Sequence, residues 1–233
     1  MSTASAPTRQ LPLALAPATA RGFDDFVAGA NAAVLVQLRT LGRAGPPIYL
    51  WGPSGSGKTH LLRALRDDAG SQGWPTRELT LCEPAATSAD PTAESALVLI
   101  DDCDALDAAA QARAFSAFVA AAAQGGRIVA AGRVPPVDLP VREDLRTRLA
   151  WGLVFALQPL AEPELVAALR REASRRGLAL PDELVQHLLT RFARDLASLM
   201  RMLERLDRYA MARARRPTVP LLRAMLADED GAW

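Results

Sequence analysis

Eight residues restrict this chain more than any other stretch: Gly52-Pro53-Ser54-Gly55-Ser56-Gly57-Lys58-Thr59 fits the spacing G-x-x-x-x-G-K-[ST]. Glycines let successive backbone N–H groups curl around phosphates, the lysine reaches the outer phosphates, and the hydroxyl of Thr59 can hold magnesium. The context agrees with the spelling. Ile48-Tyr49-Leu50-Trp51 is a short apolar run suited to a buried strand, and a helix is expected over residues 58–69, directly after the loop. Average residue usage gives such a match by chance in about one per cent of chains of this length. An ordinary Gly-rich turn is the competing reading, and it lacks that flanking pattern. Lys58 is also the only lysine in the sequence, every other basic residue being arginine. A compact ammonium fits among phosphate oxygens where a planar guanidinium is bulkier and differently forked.

A second run, Leu97-Val98-Leu99-Ile100-Asp101-Asp102, ends four apolar residues in two carboxylates. At the carboxyl end of a central strand they would face the phosphates. Asp101 is then the magnesium ligand, directly or through water, and Asp102 the group that orients or deprotonates an attacking water. Read alone, a strand ending in Asp-Asp is equally a turn signal. Asp104 and Asp107 are expected in the first turn of the next helix, where acidic groups suit the helix dipole.

Apolar runs at residues 79–81, 97–100, 128–131 and 153–157 alternate with helical patterns such as 105–123, the arrangement of a parallel α/β sheet flanked by helices. Beyond Gln158 the pattern turns all-helical, with helices expected near 163–176, 182–193, 195–213 and 219–227. Pro163, Pro181 and Gly177 supply the start and stop signals. The expected organisation is a flexible tail over residues 1–20, a P-loop nucleotide-binding domain over 21–159 and a small helical lid over 160–233.

Half of the residues are hydrophobic, enough for a substantial core, and 27 basic side chains nearly cancel 26 acidic ones. No global basic field points to duplex DNA as the main partner. Cys82 and Cys103 match no metal-ligand spacing and read as buried thiols of a reducing compartment. The apolar stretch from Leu11 to Ala16 is short for a signal peptide and interrupted by Pro12. No later segment is apolar enough to span a membrane. A cytoplasmic location is expected.

The stretch GPSGSGKTHLL from Gly52 to Leu62, the run LVLIDDCDAL, Phe23-Asp24-Asp25-Phe26-Val27, and Arg146-Thr147-Arg148-Leu149-Ala150-Trp151-Gly152 together resemble the AAA+ core of the bacterial replication initiator DnaA. The resemblance runs from about Phe23 to Leu226, and is nearest to the short regulatory inactivators of DnaA, which look like the initiator's ATPase core without its other domains. It implies an AAA+ fold, ATP or ADP with magnesium as cofactors, and His60 among the nucleotide contacts beside Gly52 to Thr59. It implies that Arg148 is an arginine finger acting on a nucleotide held by a neighbouring subunit. The plainer alternative is a surface charge beside Arg142 and Arg146. Arg194 corresponds to the lid arginine that contacts nucleotide. Gln10-Leu11-Pro12-Leu13-Ala14-Leu15 looks like the peptide by which such proteins dock on the DNA polymerase sliding clamp, with Gln10, Leu11, Leu13 and Leu15 as its contacts.

The sequence departs from an initiator in three places. It reaches Trp233 without a helix-turn-helix, so it is expected not to read duplex DNA sequence itself. The interval between Leu81 and Leu97 is brief and carries Pro84 and Pro91 where the initiator has inserted helices. Where the family places a small polar sensor, this chain reads Ala130-Ala131-Gly132-Arg133, which implies slow hydrolysis of its own ATP. The resulting expectation is a clamp-tethered regulator that promotes hydrolysis of DnaA-bound ATP and so switches initiation off. The rivals are a loader or accessory factor using nucleotide as a binding switch, and a homo-oligomeric motor.

Overall fold

The computed structural model describes residues 22–79, 96–192 and 195–230 and, for residues 229 and 230, the backbone alone. Gln10, Leu11, Leu13, Leu15, Cys82 and Arg194 lie outside the described residues, as does the interval 80–95.

Five strands, β1 (Ile48–Trp51), β2 (Thr76–Leu79), β3 (Leu97–Ile100), β4 (Arg127–Gly132) and β5 (Leu153–Ala156), form one sheet in the order β2-β3-β4-β1-β5, every pair parallel. Parallel neighbours need crossover connections. Helix α1 (Ala32–Arg39) precedes β1; α2 (Lys58–Ser71) follows it, α3 (Ala108–Gln124) lies between β3 and β4, and α4 (Glu143–Ala150) between β4 and β5.

Helices on both faces explain why the inner strands β1 and β3, and β4 after Arg127, read as apolar runs, whereas the edge strand β2 does not. Strand alternation then sorts the side chains. Ile48, Leu50, Leu97, Leu99, Val129 and Ala131 pack with Leu38 of α1 and Leu61 and Leu65 of α2. Tyr49, Val98, Ile100, Ile128 and Ala130 point the other way, to Ala114 and Phe118 of α3 and Leu145 and Leu149 of α4. Each fully buried Leu or Ile is worth roughly 1.5–3 kcal/mol over its exposed state, so a one-residue slip of any inner strand would be resisted on both faces. At the outer edge, Leu153 and Val154 of β5 are 37% and 39% exposed.

Beyond β5 the chain is helical: α5 (Glu162–Arg175), α6 (Asp182–Arg191), α7 (Leu196–Arg213) and α8 (Val219–Asp230). They enclose a separate core that includes Leu169, Leu188, Leu203, Leu206 and Leu222. Local signals set their ends. The Glu164 carboxylate accepts the Ala161 N–H at 2.8 Å, and Asp195 caps α7 by accepting the Ser198 N–H at 2.8 Å. No helix among the described residues is long and apolar enough to cross a membrane.

Three expectations shift. A strand is expected at 79–81, whereas β2 spans Thr76–Leu79 and residues 80 and 81 lie outside the described residues. The helix expected from residue 105 begins at Ala108, because Cys103–Ala105 form a 3-10 turn and Asp107 is the true cap, its Oδ1 accepting the Ala110 N–H at 2.6 Å. Asp104 is therefore not in the first turn of α3. Its carboxylate instead accepts the Arg133 backbone N–H at 2.9 Å, tying the end of β3 to the end of β4. Likewise Leu157 leaves the last strand, though its N–H still donates to the Trp51 carbonyl at 2.7 Å.

Candidate nucleotide site

Between β1 and α2 the chain turns through Gly52 to Gly57. The Gly52 N–H donates to the Gly132 carbonyl of β4 at 3.3 Å. A Cβ at Gly52 would stand 2.4 Å from the Leu157 carbonyl oxygen, so the neighbouring backbone leaves no room for a side chain there. Gly57 caps α2 with φ +98°, and a Cβ would meet the Phe26 ring at 2.7 Å. These two positions turn the loop back over the N-terminus of α2, where free backbone N–H groups favour an anion.

Lys58 is buried, and its Nζ donates to the carbonyls of Gly52 at 2.7 Å and Pro53 at 2.9 Å, with Ser56 Oγ at 3.5 Å. Burial pushes its pKa down; Asp101, Asp102 and Asp104 pull the other way. Pro53, Ser54 and Thr59 face solvent, while Ser56 is buried beneath the loop. His60 points toward the N-terminal segment: Nε2 lies 3.2 Å from the Gly22 carbonyl oxygen, and the ring meets Phe26 edge-on at 5.5 Å. Through Phe26, which abuts Gly57, His60 braces the loop from behind.

Asp101 and Asp102 follow β3 immediately. Asp101 Oδ1 accepts the Asp102 N–H at 2.9 Å. Asp102 has φ 48° and ψ 49°, a left-handed conformation that Asp and Asn tolerate better than most residues and that marks a turn under constraint. Burial pushes its pKa up, and the nearby carboxylates of Asp101 and Asp104 add to this against Arg133 and Lys58. Cys103 is fully buried, and desolvation pushes its thiol pKa up, so it is an inert core residue, as expected.

The carboxyl ends of the adjacent strands β3, β4 and β1 thus bring together the glycine loop, the two carboxylates and Arg133, the edge where ligands bind in open α/β sheets. Arg133 is the member that sequence reasoning did not assign to the site. Its signal was the missing polar sensor; Gly132, next to it, packs so closely on Tyr49 that a Cβ would lie 2.2 Å from the phenol oxygen.

Among the described residues no three His, Cys, Asp or Glu side chains converge on a protein-only metal cage. One hydroxyl and one carboxylate, Thr59 and Asp101, nevertheless suit magnesium, which keeps several waters and takes phosphate oxygens. The close-packed glycine loop and the buried lysine fit a polyphosphate.

Arg148 stands apart from this group. It belongs to α4, whose Leu145 and Leu149 are buried on the α3 side of the sheet, while α2 covers the other face. Its guanidinium lies over the Phe115 ring, 5.0 Å from the centroid, and Arg142 approaches the same ring at 5.7 Å. On the lid side, Asp195 reaches the loop: a Cβ at Gly55 would lie 2.4 Å from the Asp195 Cβ. The residue beside the expected lid arginine is therefore in contact range of the phosphate loop.

The family model of the Hda lid domain matches residues 162–226, which is α5 to α8 but for the last residues of α8. Among solved structures, domain III of the Thermotoga maritima replication initiation protein DnaA superposes with a TM-score of 0.71 at 22% identity, over 90% of this chain and 97% of that one. AMPPCP-bound DnaA from Aquifex aeolicus gives 0.67 at 20% identity, over 91% of this chain and 70% of that one. A Thermotoga maritima RuvB variant gives 0.64 at 17%, over 90% and 73%. Helices α5 to α8 of this chain thus match the Hda lid-domain model, and the chain shares the fold of DnaA domain III.

Proposed function

We propose that this protein is a regulator of the replication initiator DnaA that promotes hydrolysis of DnaA-bound ATP and so lowers the initiator's activity. The observation that carries the reading is the Hda lid-domain match joined to a DnaA-like core. The reading pairs this chain with a partner of like fold, packed face to face.

Within this reading the protein binds ATP or ADP through Gly52 to Thr59, with His60 bracing the loop from behind and Arg194 closing from the lid. Magnesium, held by Thr59 and Asp101, would neutralise charge between phosphates. Asp102 orients or takes a proton from the attacking water. Its own turnover is slow, because Ala130 and Ala131 offer no polar side chain at the end of β4 and Arg133 is engaged by Asp104. Arg148 supplies positive charge in trans to the ATP of DnaA; its position on the sheet face opposite α2 supports action on a partner rather than on its own loop.

Residues 1–20 act as the tether, with Gln10, Leu11, Leu13 and Leu15 docking on the sliding clamp. Residues 21–159 form the nucleotide-binding domain and 160–233 the lid, acting in the cytoplasm. Tethering raises the local concentration of a weak partner without a larger interface.

The reading is tested by loading DnaA with labelled ATP, adding this protein with clamps assembled on DNA, and following conversion to ADP. Clamp-dependent acceleration that a Gln10→Ala, Leu13→Ala double variant loses is the expected result. Unchanged conversion, with nucleotide binding intact, would refute it.

A further inference from the structure

We infer that Phe115 of α3 is a positioning residue for Arg148, holding its guanidinium ready for a phosphate presented by a partner. The inference rests on the trans role proposed above for Arg148 and specifies how the finger is held.

Phe115 sits on a helix whose core face is already filled. Ala114, Ala117 and Phe118 pack against the sheet, whereas Phe115 is half-buried outside that core. Among the described residues, core packing therefore does not account for an aromatic ring at this position. What the ring does contact is two guanidinium groups from the neighbouring helix and its N-cap, Arg148 at 5.0 Å and Arg142 at 5.7 Å. The spacing between the helices is itself fixed. Leu145 and Leu149 anchor α4 in the same core as α3, and Gln111, one turn before Phe115, accepts the Arg142 N–H through Oε1 at 2.9 Å.

The two arginines differ in what else they hold. Arg142 donates to the Asp144 carboxylate at 2.6 Å, so its charge is already offset. Arg148 pairs with no carboxylate among the described residues; the Phe115 ring is the contact described for its guanidinium. This difference matters chemically. An aromatic face attracts a guanidinium through the ring quadrupole and orients its plane, yet leaves the in-plane N–H donors free. A carboxylate partner would occupy that donor fork and would have to be displaced before phosphate oxygens could use it. Phe115 orients the finger without consuming what the finger delivers.

The test uses Phe115→Leu, Phe115→Tyr, Arg148→Ala and Arg142→Ala in the full chain, with ATP-loaded DnaA and clamps on DNA. Phe115→Leu should lower the maximal stimulated hydrolysis about fivefold, with the half-saturating DnaA concentration and the thermal midpoint unchanged. Phe115→Tyr, which keeps the π face, should restore the rate, and Arg142→Ala should leave it unchanged. Independently of any partner, the Arg148 Nε–Hε resonance of the isolated protein should carry an upfield ring-current shift that Phe115→Leu removes and Phe115→Tyr retains.

Arg148→Ala with wild-type stimulation overturns the trans reading and this inference together. A defective Arg148→Ala beside a fully active Phe115→Leu overturns the positioning role alone. So does a defect confined to Arg142→Ala, a loss of DnaA affinity shared by both Phe115 variants, or the absence of the ring-current shift in the wild-type protein.

Discussion

Replacing Asn31 by alanine should lower the unfolding midpoint by several degrees, because one buried side chain closes two main-chain bonds across the molecule. Asn31 is 3% exposed. Its Nδ2 donates to the Gln158 carbonyl at 2.9 Å, and its Oδ1 accepts the Gln158 N–H at 2.8 Å. Gln158 is where the chain leaves β5 for the helical region, so the pair ties the segment before α1 to that crossover. Two lost bonds of about 1 kcal/mol each give about 2 kcal/mol, and more if water cannot reach the freed groups. At roughly 2–4 °C per kcal/mol for a chain of this size, the expected fall is about 4–8 °C. Thermal melts followed by circular dichroism would read it, with urea melts showing a lower midpoint at unchanged slope. Asn31→Asp adds a sign test. It keeps an acceptor for the Gln158 N–H but sets a carboxylate oxygen against the Gln158 carbonyl, which raises the folded-state pKa. Its penalty should grow as pH rises through that pKa and vanish below the ordinary carboxylate range. A shift under about 1 °C for Asn31→Ala would refute the bridging argument built on these bonds.

Other perturbations have equally definite outcomes. Lys58→Arg should weaken ADP binding at least about tenfold in a fluorescent-nucleotide titration, since the ammonium sits buried among three oxygens within 3.5 Å. Asp102→Asn should raise the unfolding midpoint at neutral pH. A carboxyl with a raised folded pKa contributes stability fully below its unfolded pKa and loses it as pH rises through the folded value, so the gain should disappear in acid. Asparagine also tolerates the left-handed turn at φ 48°. Asp107→Ala should cost about 1 kcal/mol through the lost cap on α3, visible as a fall of roughly 2–4 °C.

Local structure was legible in the sequence; long-range pairing was not. β1 was readable to the residue because a run buried on both faces must be apolar throughout and the glycine loop marks its end. The lid helices were readable from prolines, a stop glycine and acidic first turns, with ends displaced by at most a few residues where α8 continues to Asp230. The roles of Asp104 and Arg133 were not, because both arise when β3 and β4 pair side by side, and no local signal states that neighbourhood. Phe115 was hidden for a related reason. In the alanine-rich α3 the apolar pattern runs almost all round the helix, so periodicity does not separate a residue facing the core from one facing α4. The Asn31–Gln158 bridge spans 127 residues of sequence and has no local signature.

The most direct measurement is single-turnover hydrolysis of radiolabelled ATP already bound to DnaA, at saturating amounts of this protein and clamp-loaded DNA, comparing the wild-type chain with Arg148→Ala. The account predicts rapid conversion to ADP with the wild-type protein, and none above the unassisted rate with the variant despite equal DnaA and nucleotide binding. Equal rates for the two proteins, whether both fast or both slow, would contradict it.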